Sequence, residues 1–304
     1  MAEVGNFRGL QAANKRKTFA LLALFGALMW VVVYAALTYF GGSTAYLVPI
    51  AVGFSLISVW GSYYGSDRLV LTMTGAKLIT ENDNPKLFNL IHEVVIASGL
   101  PMPKVAIVVD PAPNAFATGR NQDHALIAFT TGILDVMDRD QLQGVIAHEM
   151  SHVANRDTLV SAVAASTAGA IAILSDFLMR MMFFGGRRDS NNNSNPIALV
   201  VSLLVLIMAP IAAVLLKSAI SRKRESLADA TAVSFTRNPA GLRRALETLA
   251  ADSTVVRQRS NAVAHIWIES PLDGKSVSQL FATHPPIQER IETLRAMESL
   301  GPNQ

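Results

Sequence analysis

Residues 138–157 read DRDQLQGVIAHEMSHVANRD, and the reading of this stretch decides the rest of the chain. Leu142, Val145, Ile146 and Val153 recur at helical spacing, which predicts one helix over Asp138–Asp157. His148 and His152 lie four apart, about one turn, so both imidazoles project from one face and can share a metal. Imidazole nitrogens suit zinc, and Glu149 beside them is placed to act as general base on a water held there. A surface helix carrying two unrelated histidines is the alternative. Val145, Ile146 and Ala147 argue against it, because they put the pair next to a core.

A catalytic zinc takes three protein ligands and keeps a fourth position open. His92, His124, His265, His284 and several carboxylates are candidates for the third. Glu225 sits in RESLAD, residues 224–229, on a predicted helix where Glu225 and Asp229 face the same way. One of these carboxylates can bind the metal while the other accepts the spare N–H of a ligand histidine and fixes its orientation. Arg222, Lys223 and Arg224 precede them, and a solvated helix face gives the same pattern. Spacing alone leaves the third ligand open.

Outward from this core, the composition is that of a membrane protein. Of 304 residues, 51% are hydrophobic and only 16% charged, and the apolar residues come in long runs. Thr18–Phe40 carries no charge and is long enough to span a hydrocarbon core of roughly 30 Å. Lys15, Arg16 and Lys17 precede it as they would a cleaved signal peptide, but the run exceeds a signal h-region and a second one, Tyr46 to about Tyr63, follows at once. A third begins at Leu159, where Asp176 and Arg180 near its far end are spaced to pair. A buried helix of the globular part is the alternative for this Ala- and Ser-rich run. The fourth is Pro196–Leu216, with Pro210 as a kink, and the polar turn 185–195 separates the two.

These runs predict two hairpins and four segments: 1–66, tail and first hairpin; 67–158, first part of a catalytic domain; 159–216, second hairpin; 217–304, second part. Lys15, Arg16, Lys17 and Arg68 flank the first hairpin, and Lys217, Arg222, Lys223 and Arg224 follow the second. That bias places both termini and the catalytic domain on the cytoplasmic side. The same placement reads the net charge of +3 as membrane anchoring and not nucleic-acid binding. The absence of cysteine excludes disulfides, Cys-ligated zinc and a cysteine nucleophile.

In the globular parts, Asn84–Ser98 reads as a helix stopped by Gly99. Lys104–Val109, Asn114–Gly119 and Ala125–Thr130 read as strands, with a turn at Asn121-Gln122-Asp123. Ser221–Thr236, Pro239–Ala251 and Pro286–Ser299 read as helices. The fold class is α+β, a small sheet against helices, fused to helical membrane hairpins.

Four motifs in this order, NAFATG at 114–119, HEMSH at 148–152, RESLAD at 224–229 and THPP at 283–286, resemble the HtpX family of bacterial membrane-bound heat-shock proteases, which is related to the CAAX prenyl proteases. The likeness runs over nearly the whole chain. It implies a zincin-like fold, one Zn2+ per chain on His148, His152 and Glu225, and Glu149 as catalytic base. It suggests Asp229 as the partner of a ligand histidine, Asn114 and His284 near the active site, and Arg290 as a weaker assignment. It further implies a multi-pass enzyme of the bacterial cytoplasmic membrane, in contact with the lipid bilayer, that acts on polypeptides, above all misfolded or damaged membrane proteins. A scaffold or chaperone with a structural metal is the competing class; its site would be closed by four protein ligands.

Overall fold

The computed structural model describes residues 16, 18–31, 34, 44–185, 222–252, 254, 256, 266–268 and 287–299. After a helical stretch at 18–31, the described elements in chain order are α1 (Thr44–Tyr64), α2 (Ser66–Thr74), β1 (Lys77–Ile79), α3 (Pro85–Ser98), β2 (Lys104–Val108), β3 (Ala115–Thr118), β4 (Leu126–Thr130), α4 (Thr131–Val136), α5 (Arg139–Ala154), α6 (Asp157–Gly185), α7 (Arg222–Thr236), α8 (Pro239–Ala251) and α9 (Ile287–Ser299). The fourth apolar run, the polar turn at 186–195, the side chains of Asp176 and Arg180, and His265 and His284 lie outside the described residues.

The sheet is mixed, in the order β1-β2-β4-β3. β2 and β4 run parallel, with Val105 opposite Ile127, while β1 and β3 pair antiparallel at the two ends. Strict alternation along the strands buries both faces. Val105, Ala115, Ala117, Ile127 and Phe129 join one core with Leu87, Ile91, Val145, Ile146, Leu242, Leu246 and Leu294. Ala106, Val108, Phe116, Leu126 and Ala128 join a second with Val70, Ala165 and Trp267. The sequence predicts helices against a small sheet; the structure has them on both sides.

α5 is the central element. Asp138 and Gln141 form a reciprocal capping box, each side chain accepting the other's backbone N–H, at 2.9 and 2.8 Å. Every residue from Gly144 to Ser151 is buried, as expected of a helix packed on all sides. Small residues set how closely its neighbours approach. A Cβ on Gly144 would lie 2.6 Å from the Leu242 backbone nitrogen of α8, and one on Gly241 would lie 2.6 Å from the Asp140 carbonyl oxygen. On α7, Ala228 and Ala232 are fully buried.

The predicted helix ends three residues early. Asn155 caps α5, Arg156 takes a left-handed conformation at φ 58°, and α6 restarts at Asp157. The first half of α6 is buried against protein, with Val160, Ala164, Ala165 and Thr167 at 0% exposure. Ser166 Oγ lies 2.6 Å from Ser62 Oγ of α1. That half of the third apolar run packs on α1 and on the second core of the sheet. Among the described residues no helix is long and apolar enough to cross a membrane. α1 nonetheless exposes Ile50, Phe54, Leu56, Ile57 and Trp60.

Gly144→Ala forces a methyl group into the α8 backbone. We expect a loss of about 1–3 kcal/mol in denaturant unfolding; a variant as stable as wild type contradicts this packing.

Candidate active site

Three elements converge on one buried cluster. α5 contributes His148, Glu149 and His152, α7 contributes Glu225 and Asp229, and α9 contributes Arg290. The alanines of α7 permit a close crossing, so two carboxylates one turn apart both meet the histidine face of α5. His148, Glu149, Glu225, Asp229 and Arg290 are all buried.

The two histidine Nε2 atoms lie 3.3 Å apart, with the ring planes nearly perpendicular at 88°. The Glu225 carboxylate faces both, Oε2 3.7 Å from His148 Nε2 and Oε1 3.8 Å from His152 Nε2. These are the three side chains among the described residues whose ligand atoms gather closely enough to hold a metal ion. His152 is the more open histidine, its side chain 15% exposed against 1% for His148.

Each histidine presents its other nitrogen to a carboxylate. His148 Nδ1 lies 3.0 Å from Asp229 Oδ1, and His152 Nδ1 lies 3.2 Å from Asp157 Oδ2. Both Nδ1 atoms therefore donate, which leaves both Nε2 atoms directed at the shared centre. Asp229 is held in turn by Arg290, whose Nε and Nη2 donate to its two oxygens at 2.9 and 2.7 Å, a bidentate pair. Arg290 Nη2 is 3.4 Å from both ring nitrogens of His148, so it lies along the lone pair of neither.

The electrostatics divide the two histidines. Burial, together with the Arg290 charge, pushes His148 down to about 4. Burial opposes charge on His152 as well, but Glu225, Asp157 and Glu149 outweigh it and hold that imidazole up to about 9. The carboxylates around His152 thus favour positive charge at this centre, from a proton or a metal cation alike. Asp229 is pulled down to about 2, because Arg290 and the His148 hydrogen bond overcome the effect of burial.

Sequence reading missed Asp157. It took the residue for the end of the α5 helix, whereas the left-handed turn at Arg156 swings it back beside His152. Arg290, only a weak assignment by resemblance, is integral to the cluster. Of the other third-ligand candidates, His92 and His124 stand outside the cluster; His124 Nδ1 is 2.6 Å from Asn121 Oδ1. Asn114 is buried at the mouth of β3. Its backbone pairs with Thr130, and its side-chain oxygen accepts the Ala115 N–H at 3.0 Å.

The sequence profile of peptidase family M48 matches residues 81–298. The chain belongs to that family. This M48 peptidase is similar to proteins named Protease HtpX homolog. One from Caldanaerobacter subterraneus subsp. tengcongensis is 44% identical, the match covering 95% of this chain and 97% of the relative. One from Streptococcus gordonii is 42% identical over 94% and 98%, and one from Tropheryma whipplei 40% over 94% and 97%. The resemblance read from four motifs thus holds across almost the whole chain. A solved structure, "Crystal Structure of S. mikatae Ste24p", superposes with a TM-score of 0.49 at 18% identity, covering 94% of this M48 peptidase and 66% of that chain. As a peptidase, the protein acts on polypeptides.

Asp157→Asn and Asp229→Asn are each expected to weaken binding of a metal at this cluster about 10–100-fold, since each frees an imidazole to rotate; metal titration by calorimetry measures this. Asp229 also links stability to acidity. Its carboxylate is depressed in the fold, so its stabilisation is complete above its ordinary value near 4 and is lost as pH falls toward about 2. We expect the denaturation midpoint to fall over that window in wild type, with part of the fall missing in Asp229→Asn.

Proposed function

We propose that this M48 peptidase is a zinc-dependent endopeptidase. His148, His152 and Glu225 hold one zinc ion, and Glu149 is its catalytic base. The observation that carries the reading is the pair of Nε2 atoms 3.3 Å apart, facing one carboxylate. A tetrahedral zinc with bonds of about 2.0–2.1 Å keeps its ligand atoms roughly 3.3–3.4 Å apart. Two imidazoles and a carboxylate are also a donor set of catalytic zinc sites, in which the fourth position stays open.

Zinc, when bound, supplies a Lewis acid that polarises the scissile carbonyl and acidifies water. The chain's own residues do the rest. Glu149, buried beside His152, removes a proton from the attacking water and passes it to the departing amine. Asp229 and Asp157 keep both imidazole Nε2 atoms aimed inward. Arg290 keeps Asp229 ionised, and its charge offsets the carboxylates around it. His284, by resemblance, joins the polar groups at the scissile carbonyl.

An extended substrate lying along β3, near Asn114–Gly119, is the binding mode we favour, since backbone pairing reads few side chains. The protein already uses part of that edge. The Ala115 carbonyl accepts the Ile268 N–H at 2.9 Å, and Trp267 is buried edge-on against Phe116. Substrate pairing is therefore displaced toward Ala117 and Gly119.

The wider assignment is a multi-pass enzyme of a bacterial cytoplasmic membrane, divided at 1–66, 67–158, 159–216 and 217–304. Its catalytic parts and both termini face the cytoplasm, and it clears misfolded or damaged membrane proteins under stress. The exposed apolar side chains of α1 support contact with lipid, and the kinship with HtpX homologues supports the quality-control role.

Glu149→Gln is expected to keep its metal and lose cleavage of an unfolded polypeptide by at least a hundredfold; equal cleavage by variant and wild type removes Glu149 from the mechanism. Reporter fusions after Asp67 and after Asn192 are expected to report cytoplasmic and external locations respectively. A cytoplasmic signal at Asn192 overturns the second hairpin.

A further inference from the structure

A cavity of about 330 Å3 opens where α6 begins, lined by Thr18, Phe19, Tyr63, residues 120–123, Arg156, Thr158 and Leu159. None of the metal-holding side chains belongs to it. Its volume lies at the lower end of the roughly 300–1,000 Å3 typical of small-molecule sites.

The lining is amphipathic, with a basic end. Its charged members are Arg120, Arg156 and Asp123, so positive charge exceeds negative by one. Among the described residues neither guanidinium has a carboxylate partner. Arg120 instead lies over the Tyr64 ring, 5.4 Å from its centre, which pins it at the end of α1. Arg156 is the exposed, left-handed residue of the turn into α6. Guanidinium cannot shed its charge at any working pH, and its planar fork matches phosphate oxygens.

The other side is apolar. Phe19 is 58% exposed, with Tyr63 and Leu159 beside it in the lining. Next to it runs the exposed apolar surface of α1, which ends in the ring cluster Trp60, Tyr63 and Tyr64. Trp and Tyr gathered at the end of an apolar helix mark the level of lipid headgroups. The two arginines stand at that level, where a lipid phosphate would be.

We propose that this cavity binds the phosphate of an anionic phospholipid, with Arg120 and Arg156 on the headgroup and Phe19, Leu159 and the exposed side of α1 against the acyl chains. The inference rests on the membrane reading above. Free phosphate shares the headgroup chemistry but has nothing to place against the apolar side.

The full-length protein, in lipid-free maltoside detergent, would be titrated calorimetrically with dihexanoyl phosphatidylglycerol, dihexanoyl phosphatidylcholine and inorganic phosphate. We expect saturable binding of the first, and at least tenfold weaker binding of the other two. Arg120→Gln/Arg156→Gln is expected to lose at least tenfold in affinity for phosphatidylglycerol. Arg156→Gln alone, which changes one exposed side chain and so spares the fold, is expected to lose severalfold. Unchanged affinity in both variants overturns the site. Phosphate binding as tightly as the anionic lipid makes it an ion site, and phosphatidylcholine binding equally makes it an uncharged groove; either result overturns the proposal. The membrane reading is tested separately by alkaline carbonate extraction of native membranes. Release of the protein there sinks that reading, while the titration, which uses soluble short-chain lipid, still decides the cavity.

Discussion

A charge inside a protein is tolerated only while an opposite charge or a full set of hydrogen bonds compensates its lost hydration. Around α5 this constraint organises everything else. Glu149, Glu225, Asp229 and Arg290 are buried together with His148, and α7 and α9 must dock against α5 for any of them to be compensated. The bidentate contact between Asp229 and Arg290 is the fixed point. It ties α9 to α7, keeps a carboxylate ionised beside His148, and thereby settles which imidazole nitrogen faces the centre. The helix packing and the proton positions follow from one electrostatic requirement.

The same requirement explains why His148 and His152 are not equivalent, although the motif presents them as a symmetric pair. His148 faces a carboxylate already claimed by an arginine, and burial keeps it neutral. His152 faces Asp157 and Glu225 from a more open position, and those carboxylates raise its pKa. The asymmetry comes from what lies on α6, α7 and α9.

Much of this was legible in the sequence, and the limits are physical. Periodicity located α3, α5 and α8, because their caps at Asn84, Asp138 and Asn238 and the stop at Gly99 are local signals. The strands read correctly as short apolar runs, but their mixed order did not, since a run of four residues carries no pairing information. β1 and α2 escaped notice because Lys77–Ile79 and Ser66–Thr74 lack the length for a period to emerge. His148, Glu149 and His152 stood out because their geometry is contained within one helix. Glu225 needed the family likeness, since its contact with the histidines spans a predicted hairpin. Asp157 was invisible: its position depends on a backbone reversal at Arg156, a residue type that seldom adopts that conformation.

The discontinuity of the cluster also orders events during synthesis. A ribosome that has translated as far as residue 220 has released both histidines and Glu149, yet neither the carboxylate of Glu225 that faces them nor the aspartate that aims His148. Arg290, which fixes that aspartate, emerges later still, in the last twentieth of the chain. Until then the nascent polypeptide carries the histidines of α5 with no organised cluster around them. The peptidase thus has no assembled cluster during the period when its own chain is still unfolded.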